Sequence, residues 1–228
     1  MRALIVKNLL KGWAKAWHAL LRILFVLLVA YPVVWLWLGT HVRHRERLPK
    51  KGPAIVVANH SSHLDILVLL TLFPLFSVPR VHAVAASDYF LRNRCLAWIS
   101  LNLIGIIPLQ RTLSKEATHP LQACFDALEA GKILIIFPEG TRGTGEQMGQ
   151  LKYGIWYVAK RFPEVPVIPV YLQGLGKALP KGSRLPLPIF VGIAIGSAVF
   201  WQEQKQAFID GLQQRFLQLQ HKLNPGQD

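Results

Sequence analysis

The sequence predicts one α/β domain, with a mixed and mostly parallel sheet flanked by helices, behind an N-terminal hydrophobic helical segment. Three observations predict it. From about Leu48 onward, short runs rich in Val, Ile and Ala alternate with segments of helical periodicity. One run, Lys132-Ile-Leu-Ile-Ile-Phe137, is apolar throughout rather than alternating, as befits a strand covered on both faces. Ahead of these, Ile23 to Leu38 contains no charged residue. The predicted division is therefore residues 1–47 as helical anchor and 48–228 as the α/β domain.

In the first segment Lys7, Lys11, Lys15, His18 and Arg22 recur every three or four residues and share one helical face, while Trp13, Trp17, Leu20 and Leu24 cover others. A basic face beside a Trp-bearing face suits the headgroup boundary of a bilayer. Sixteen helical residues from Ile23 to Leu38 reach about 24 Å, less than the ~30 Å hydrocarbon core. Pro32 is expected to interrupt them, and Arg22 to snorkel toward the interface. Arg43, Arg45, Arg47, Lys50 and Lys51 follow, so both flanks are basic. A single span leaves one flank poorer in Lys and Arg, which favours a monotopic or re-entrant anchor with both ends cytoplasmic.

The body reads in order. Ala54–Ala58 is a strand and Leu64–Leu72 a helix. Val81–Ala86 is a strand, Asp88–Asn102 an amphipathic helix and Ile104–Leu109 a short strand. A helix over Lys115–Ala130 stops at Gly131, ahead of the central strand. Tyr153–Arg161 is helical. Val165–Leu172 is a strand whose Pro166 and Pro169 place it at an edge or a bulge, and Ile189–Ile195 is another. Gln202–Leu219 is Gln-rich and reads as a solvated terminal helix.

Chemistry concentrates where two strands end. After Val56-Val57-Ala58 come Asn59-His60-Ser61-Ser62-His63-Leu64-Asp65, so His60 sits at a strand's carboxyl end and Asp65 in the first turn of the next helix. Ser61 or Ser62 is placed to cap that helix. Histidine takes a proton near neutral pH, and a carboxylate fixes its tautomer and stabilises the imidazolium. A purely structural pair, with Asp65 serving the helix dipole, is the alternative. The central strand ends in Phe137-Pro138-Glu139-Gly140-Thr141-Arg142-Gly143, a glycine-bearing turn with a guanidinium fork suited to phosphate. Glu139 needs a partner there: Arg142, Arg111 or a substrate group. Arg111 places another cation after the strand ending at Leu109.

No G-x-S-x-G elbow, Walker loop or G-x-G-x-x-G fingerprint occurs. A base and its orienting acid without a nucleophile imply that the substrate brings its own hydroxyl, which His60 deprotonates for direct attack on an activated acyl group. No His/Cys/Asp/Glu spacing fits a metal site, so neither metal nor cofactor is expected. Cys95 and Cys124 form no CxxC pair, which fits a reducing compartment. With 26 Lys+Arg against 12 Asp+Glu, the net charge is +14 and 52% of residues are hydrophobic. That balance points to anionic membranes. It does not point to nucleic acid, for which no recognition motif appears.

These residues resemble the glycerolipid acyltransferases typified by 1-acylglycerol-3-phosphate acyltransferase. That family's His-x4-Asp box is similar to His60–Asp65, its second block to Gly105–Arg111, its third to Phe137–Arg142 and its proline-bearing fourth to Val165–Val170. Lys152-Tyr153-Gly154 also resembles the Lys-x-Gly that follows the third block. The resemblance implies His60 as general base and Asp65 as its orienter. It further implies Arg111, Glu139, Gly140, Thr141 and Arg142 at the acceptor, a lysophospholipid. The acyl donor would be acyl-CoA or acyl-carrier protein, at the cytoplasmic face of an inner membrane. One departure stands out: many relatives carry a lysine after the second strand, where this chain reads Ala85-Ala86-Ser87. Acylation of glycerol 3-phosphate or another lyso-lipid is the alternative within the class. A non-catalytic basic membrane protein is the alternative outside it.

Overall fold

The computed structural model describes residues 2–87, 93–109, 119–143, 148–179 and 187–224. Seven strands form one sheet: β1 (Thr40–Arg43), β2 (Ala54–Ala58), β3 (Val81–Ala86), β4 (Ile106–Leu109), β5 (Ile133–Ile136), β6 (Val167–Gln173) and β7 (Val191–Ile195), in the order β1-β7-β6-β2-β5-β3-β4. All neighbours are parallel except β6 and β7. The helices are α1 (Arg2–Phe25), α2 (Leu64–Leu72), α3 (Arg94–Ile99), α4 (Gln122–Glu129), α5 (Gly154–Arg161), the single turn α6 (Leu175–Ala178) and α7 (Lys205–Leu223). The expected α/β architecture is present. Of the helix expected over 88–102, residues 88–92 lie outside the described residues and the helix is present from Arg94; of that over 115–130, residues 115–118 lie outside them and the helix starts only at Gln122, after a turn at 120–121.

Every residue of β2 is buried. Ala54, Val56 and Ala58 join a core with α2 and the N-terminal helix. Ile55 and Val57 join the opposite core with residues of α4, α5 and α7. Burial on both faces is the reason the central strands read as unbroken apolar runs.

Three expectations are corrected. The terminal helix is not simply solvated: Phe208, Ile209, Leu212, Phe216 and Leu219 are buried along one stripe against the sheet. Its glutamines occupy the other faces and mask the stripe in composition. β6 is interior, between β2 and β7, despite Pro169. Val167 N–H donates to Val199 O, and strand alternation aims the Pro169 nitrogen to the same side. There β7 has ended at Ile195, and Pro169 keeps the carbonyl half of the pairing, its O accepting Gly196 N–H at 2.8 Å, so the proline sits where the regular ladder gives out. Finally, β1 pairs with β7, which carries the sheet into residues 40–43, within the segment assigned to the anchor.

The N-terminal helix continues through Pro32 instead of breaking. Two π-type turns, Val26–Ala30 and Pro32–Trp37, widen the helix where the proline lacks its N–H. Val26, Ala30, Val34 and Leu38, four residues apart, are wholly buried in the core shared with α2, while Leu20, Leu24, Leu27, Leu28, Trp35 and Leu36 face outward. Gly12–Trp37 is long and apolar enough to cross a membrane, yet its inner stripe lies along the domain.

Arg22 does not snorkel. It is only 5% exposed and reaches the amino ends of β3 and β4. Its guanidinium donates to Ile104 O at 2.8 Å, Pro79 O at 3.1 Å, Leu103 O at 3.4 Å and also to Val81 O. Gly105, with φ +80°, leaves the room; a Cβ there would collide with the guanidinium. Beside it, burial and the Arg22 and Lys132 charges push the His82 imidazole down to about 3, leaving a neutral ring. Some of the basic residues that follow the apolar run are also structural. Arg45 donates to Thr71 O and Leu72 O at 3.1 and 2.9 Å, capping the carboxyl end of α2, and Arg47 donates to Ile195 O at 3.1 Å.

Candidate active site

The parallel pairing of β2 with β5 aligns Val57 with Ile136. Three residues further along each strand, the same alignment sets His60 beside Glu139. Open α/β sheets place their sites in this position, at the carboxyl ends of parallel strands.

His60 Nδ1–H donates to Asp65 Oδ2 at 2.8 Å. Asp65 is fully buried while the His60 side chain is 19% exposed, so the acid is sealed and the base reaches outward. The same Oδ2 accepts Ser61 N–H at 2.7 Å and Ser62 N–H at 2.9 Å. Three donors on one oxygen fix the carboxylate in place and set the imidazole's orientation, leaving Nε2 pointing outward. The ring stacks on Phe137, centroids 4.2 Å apart, which fixes it from its face. The N-cap position of α2 falls to His63, not to either serine, and Ser62 just before it accepts Leu64 N–H on Oγ at 3.3 Å. Among the described residues, no hydroxyl or thiol side chain bonds to His60.

The turn after β5 grips the His60 backbone from both sides. Glu139 Oε1 accepts His60 N–H at 2.8 Å, and Gly143 N–H donates to His60 O at 2.9 Å. Glu139 Oε2 accepts Gly149 N–H at 2.7 Å. Glu139 is thus a buried carboxylate with both oxygens on backbone amides, not the Arg-paired or substrate-facing group expected from sequence. Exchanging it for glutamine turns one N–H acceptor into a donor facing a donor. Glu139→Gln is therefore expected to lower kcat about 10- to 100-fold, with the fold retained, as initial-rate assays and circular dichroism will show.

Gly140 N–H donates to Phe137 O at 3.0 Å, closing the turn at a φ of +71°. That N–H is therefore engaged within the turn. Thr141 is exposed and Arg142 partly so. The Arg142 charge is felt at His63: burial first, then Arg142 and His60, hold that imidazole below its usual value. Arg142 thus belongs to the His60 neighbourhood, and His63 flanks it. Arg111 lies outside the described residues.

Asn59, directly before His60, is a structural neighbour of the site that sequence reasoning did not single out. Its side chain donates to Leu172 O at 2.8 Å and accepts Leu172 N–H at 2.7 Å, prolonging the β2–β6 ladder to the position just before His60. A buried polar residue ending an apolar strand was the available signal.

The model of the Acyltransferase family matches residues 39–173, more than half of the sequence. The chain belongs to the Acyltransferase family. A chloroplastic 1-acyl-sn-glycerol-3-phosphate acyltransferase of Arabidopsis thaliana is 34% identical over 140 residues, covering 61% of this chain and 37% of that protein. A chloroplastic enzyme of the same description from Brassica napus is 31% identical over 146 residues, 64% of this chain and 40% of its own length. This member of the family thus spans about two fifths of those relatives. A lyso-ornithine lipid O-acyltransferase of Rhizobium meliloti is 30% identical over 144 residues, covering 63% of this chain and 47% of that protein. The crystal structure of the 1-acyl-sn-glycerophosphate (LPA) acyltransferase PlsC from Thermotoga maritima shares the fold, with a TM-score of 0.68 at 23% identity over 97% of this chain and 98% of that one. The family match covers β1 to β6 and hence both the His60 and Glu139 strands.

Proposed function

We propose that this protein transfers a fatty acyl group from a thioester donor, acyl-CoA or acyl-carrier protein, to the free hydroxyl of a 1-acylglycerol 3-phosphate, giving phosphatidic acid. The carrying observation is the His60–Asp65 dyad at 2.8 Å, aimed outward without a protein nucleophile at hand among the described residues. His60 Nε2 removes the acceptor's hydroxyl proton as its oxygen attacks the thioester carbonyl. Asp65 stabilises the imidazolium that forms. The tetrahedral intermediate expels the thiolate as the C–S bond breaks, and His60 returns the proton to sulfur. Arg142 meets the acceptor phosphate with its planar fork. Glu139 acts through the backbone, holding His60 in place.

The lipid setting rests on the helix that precedes β1. With its inner stripe on the domain, its outer apolar face has only lipid to enter, which favours a seat in one leaflet over a span. β1 runs antiparallel to β2, so Trp37–Gly39 emerges at the sheet edge from which His60 projects. There Leu36 is 85% and Phe190 88% exposed, which brings the reactive edge onto the bilayer. The +14 net charge favours an anionic leaflet such as the cytoplasmic face of an inner membrane.

The test is an acceptor panel in mixed micelles with acyl-CoA and acyl-carrier protein donors. 1-Acylglycerol 3-phosphate is expected to exceed glycerol 3-phosphate, lysophosphatidylcholine and lyso-ornithine lipid by at least about tenfold in kcat/KM, since one charged contact is worth roughly that factor. A preference for lyso-ornithine lipid, or no transfer to any acceptor, would overturn the assignment.

A further inference from the structure

We infer that Lys152 is a specificity-determining residue of the acceptor site, binding the acceptor's phosphate together with Arg142. The inference rests on the acyl transfer proposed above and adds a residue to it. Lys152 N–H donates to Pro138 O at 2.8 Å, which ties the residue to the turn that holds His60. From there its side chain lies across Gly140. A Cβ on Gly140 would stand 2.8 Å from Nζ, 3.0 Å from Cδ and 3.1 Å from Cε. Gly140 in turn follows Glu139, whose Oε1 accepts the His60 N–H. The ammonium therefore sits over the same turn that positions the base.

Charge decides what it does there. The turn's own carboxylate, Glu139, is buried and has both oxygens on backbone amides. Lys152 is exposed, and among the described residues no ion pair involves it. Arg142 adds a second positive charge two residues beyond Gly140 and depresses the proton affinity of His63. A phosphate monoester carries about −1.5 to −2 charges at pH 7, more than one cation neutralises. Arginine supplies a directional fork and lysine a compact point charge with three donors, a complementary pair for such a dianion. The absence of a side chain at Gly140 acquires a second reason: it gives the lysine stem its bed.

The test compares wild type, Lys152→Met and Lys152→Arg by initial rates with 1-acylglycerol 3-phosphate at a saturating donor. Lys152→Met keeps the apolar stem over Gly140 and removes only the charge. KM is expected to rise about 10- to 100-fold with kcat within about threefold, and Lys152→Arg to recover most of the loss. A second measurement is independent of turnover: titration of each variant with two lipids lacking the hydroxyl, 1-acylpropanediol 3-phosphate and 1-acylpropanediol. Lys152→Met should weaken only the phosphorylated one, by the same factor. Unchanged affinity for the phosphorylated lipid, or equal weakening of both, overturns the role of Lys152. Failure of the wild type to acylate 1-acylglycerol 3-phosphate overturns the activity instead, and the titration still decides on the lysine.

Discussion

Replacing His60 with alanine is expected to lower kcat/KM about 10³- to 10⁴-fold while the protein stays folded and membrane-associated. A positioned general base contributes up to about 10⁴, or roughly 5.5 kcal/mol at 1.36 kcal/mol per tenfold. The side chain is partly exposed and its backbone is what the turn after β5 grips, through Glu139 Oε1 and Gly143 N–H. Removing the imidazole therefore takes away the proton acceptor and leaves that grip intact. Asp65→Asn should cost a comparable amount, near 10³-fold, for a different reason. Its Oδ2 now accepts from the His60 ring and from the Ser61 and Ser62 amides. A neutral amide keeps part of that geometry but cannot stabilise an imidazolium and no longer dictates which ring nitrogen carries the proton. Because the two residues act as one unit, the double substitution should be little worse than His60→Ala alone. Initial rates with 1-acylglycerol 3-phosphate, beside circular dichroism, read this directly. Wild-type activity in purified His60→Ala would end the general-base mechanism.

Arg22→Leu is expected to destabilise the protein by about 3–5 kcal/mol and to free the N-terminal helix from the domain. The guanidinium donates to four carbonyls at the amino ends of β3 and β4, and a leucine takes all of those bonds away in a buried or part-buried setting. Arg22→Lys keeps the charge but not the fork, so an intermediate loss follows. Chemical unfolding in detergent micelles measures the first effect, and protease sensitivity around residues 39–53 the second. The site lies at the other edge of the sheet, so kcat measured at low temperature on the folded fraction should change little. An unchanged unfolding midpoint would show that the helix docks by its apolar stripe alone.

Arg22 also marks the limit of what was legible in the chain. Its spacing from Lys7, Lys11, Lys15 and His18 is a true helical periodicity, and the helix exists. Which way one member of that face points depends on carbonyls about 60 and 80 residues later in the chain, and no local pattern records them. Pro169 is similar. Its missing N–H argues for an edge, yet the loss falls just past the end of β7, where Pro169 O still accepts Gly196 N–H and the strand stays interior. In α7 the glutamines dominate composition although the buried stripe from Phe208 to Leu219 has helical spacing, so periodicity was the better guide.

The strands and helices from Ala54 to Ala86 follow from the sequence almost residue for residue, because apolar period and turn chemistry are local. The dyad was legible for the same reason: the end of β2 and the first turn of α2 are five residues apart, and their geometry is set by the connecting backbone. The work of Glu139, Gly140 and Lys152 was not. A carboxylate, a glycine and a lysine at a strand end permit several pairings. Only the register of β2 on β5 brings Glu139 to the His60 backbone and lays Lys152 across Gly140. By itself the sequence determined most of the elements and set His60 and Asp65 close together. The tertiary structure decided which charges are engaged within the protein and which stay open to solvent, because pairing depends on distances between strands that are neighbours in space and remote in the chain.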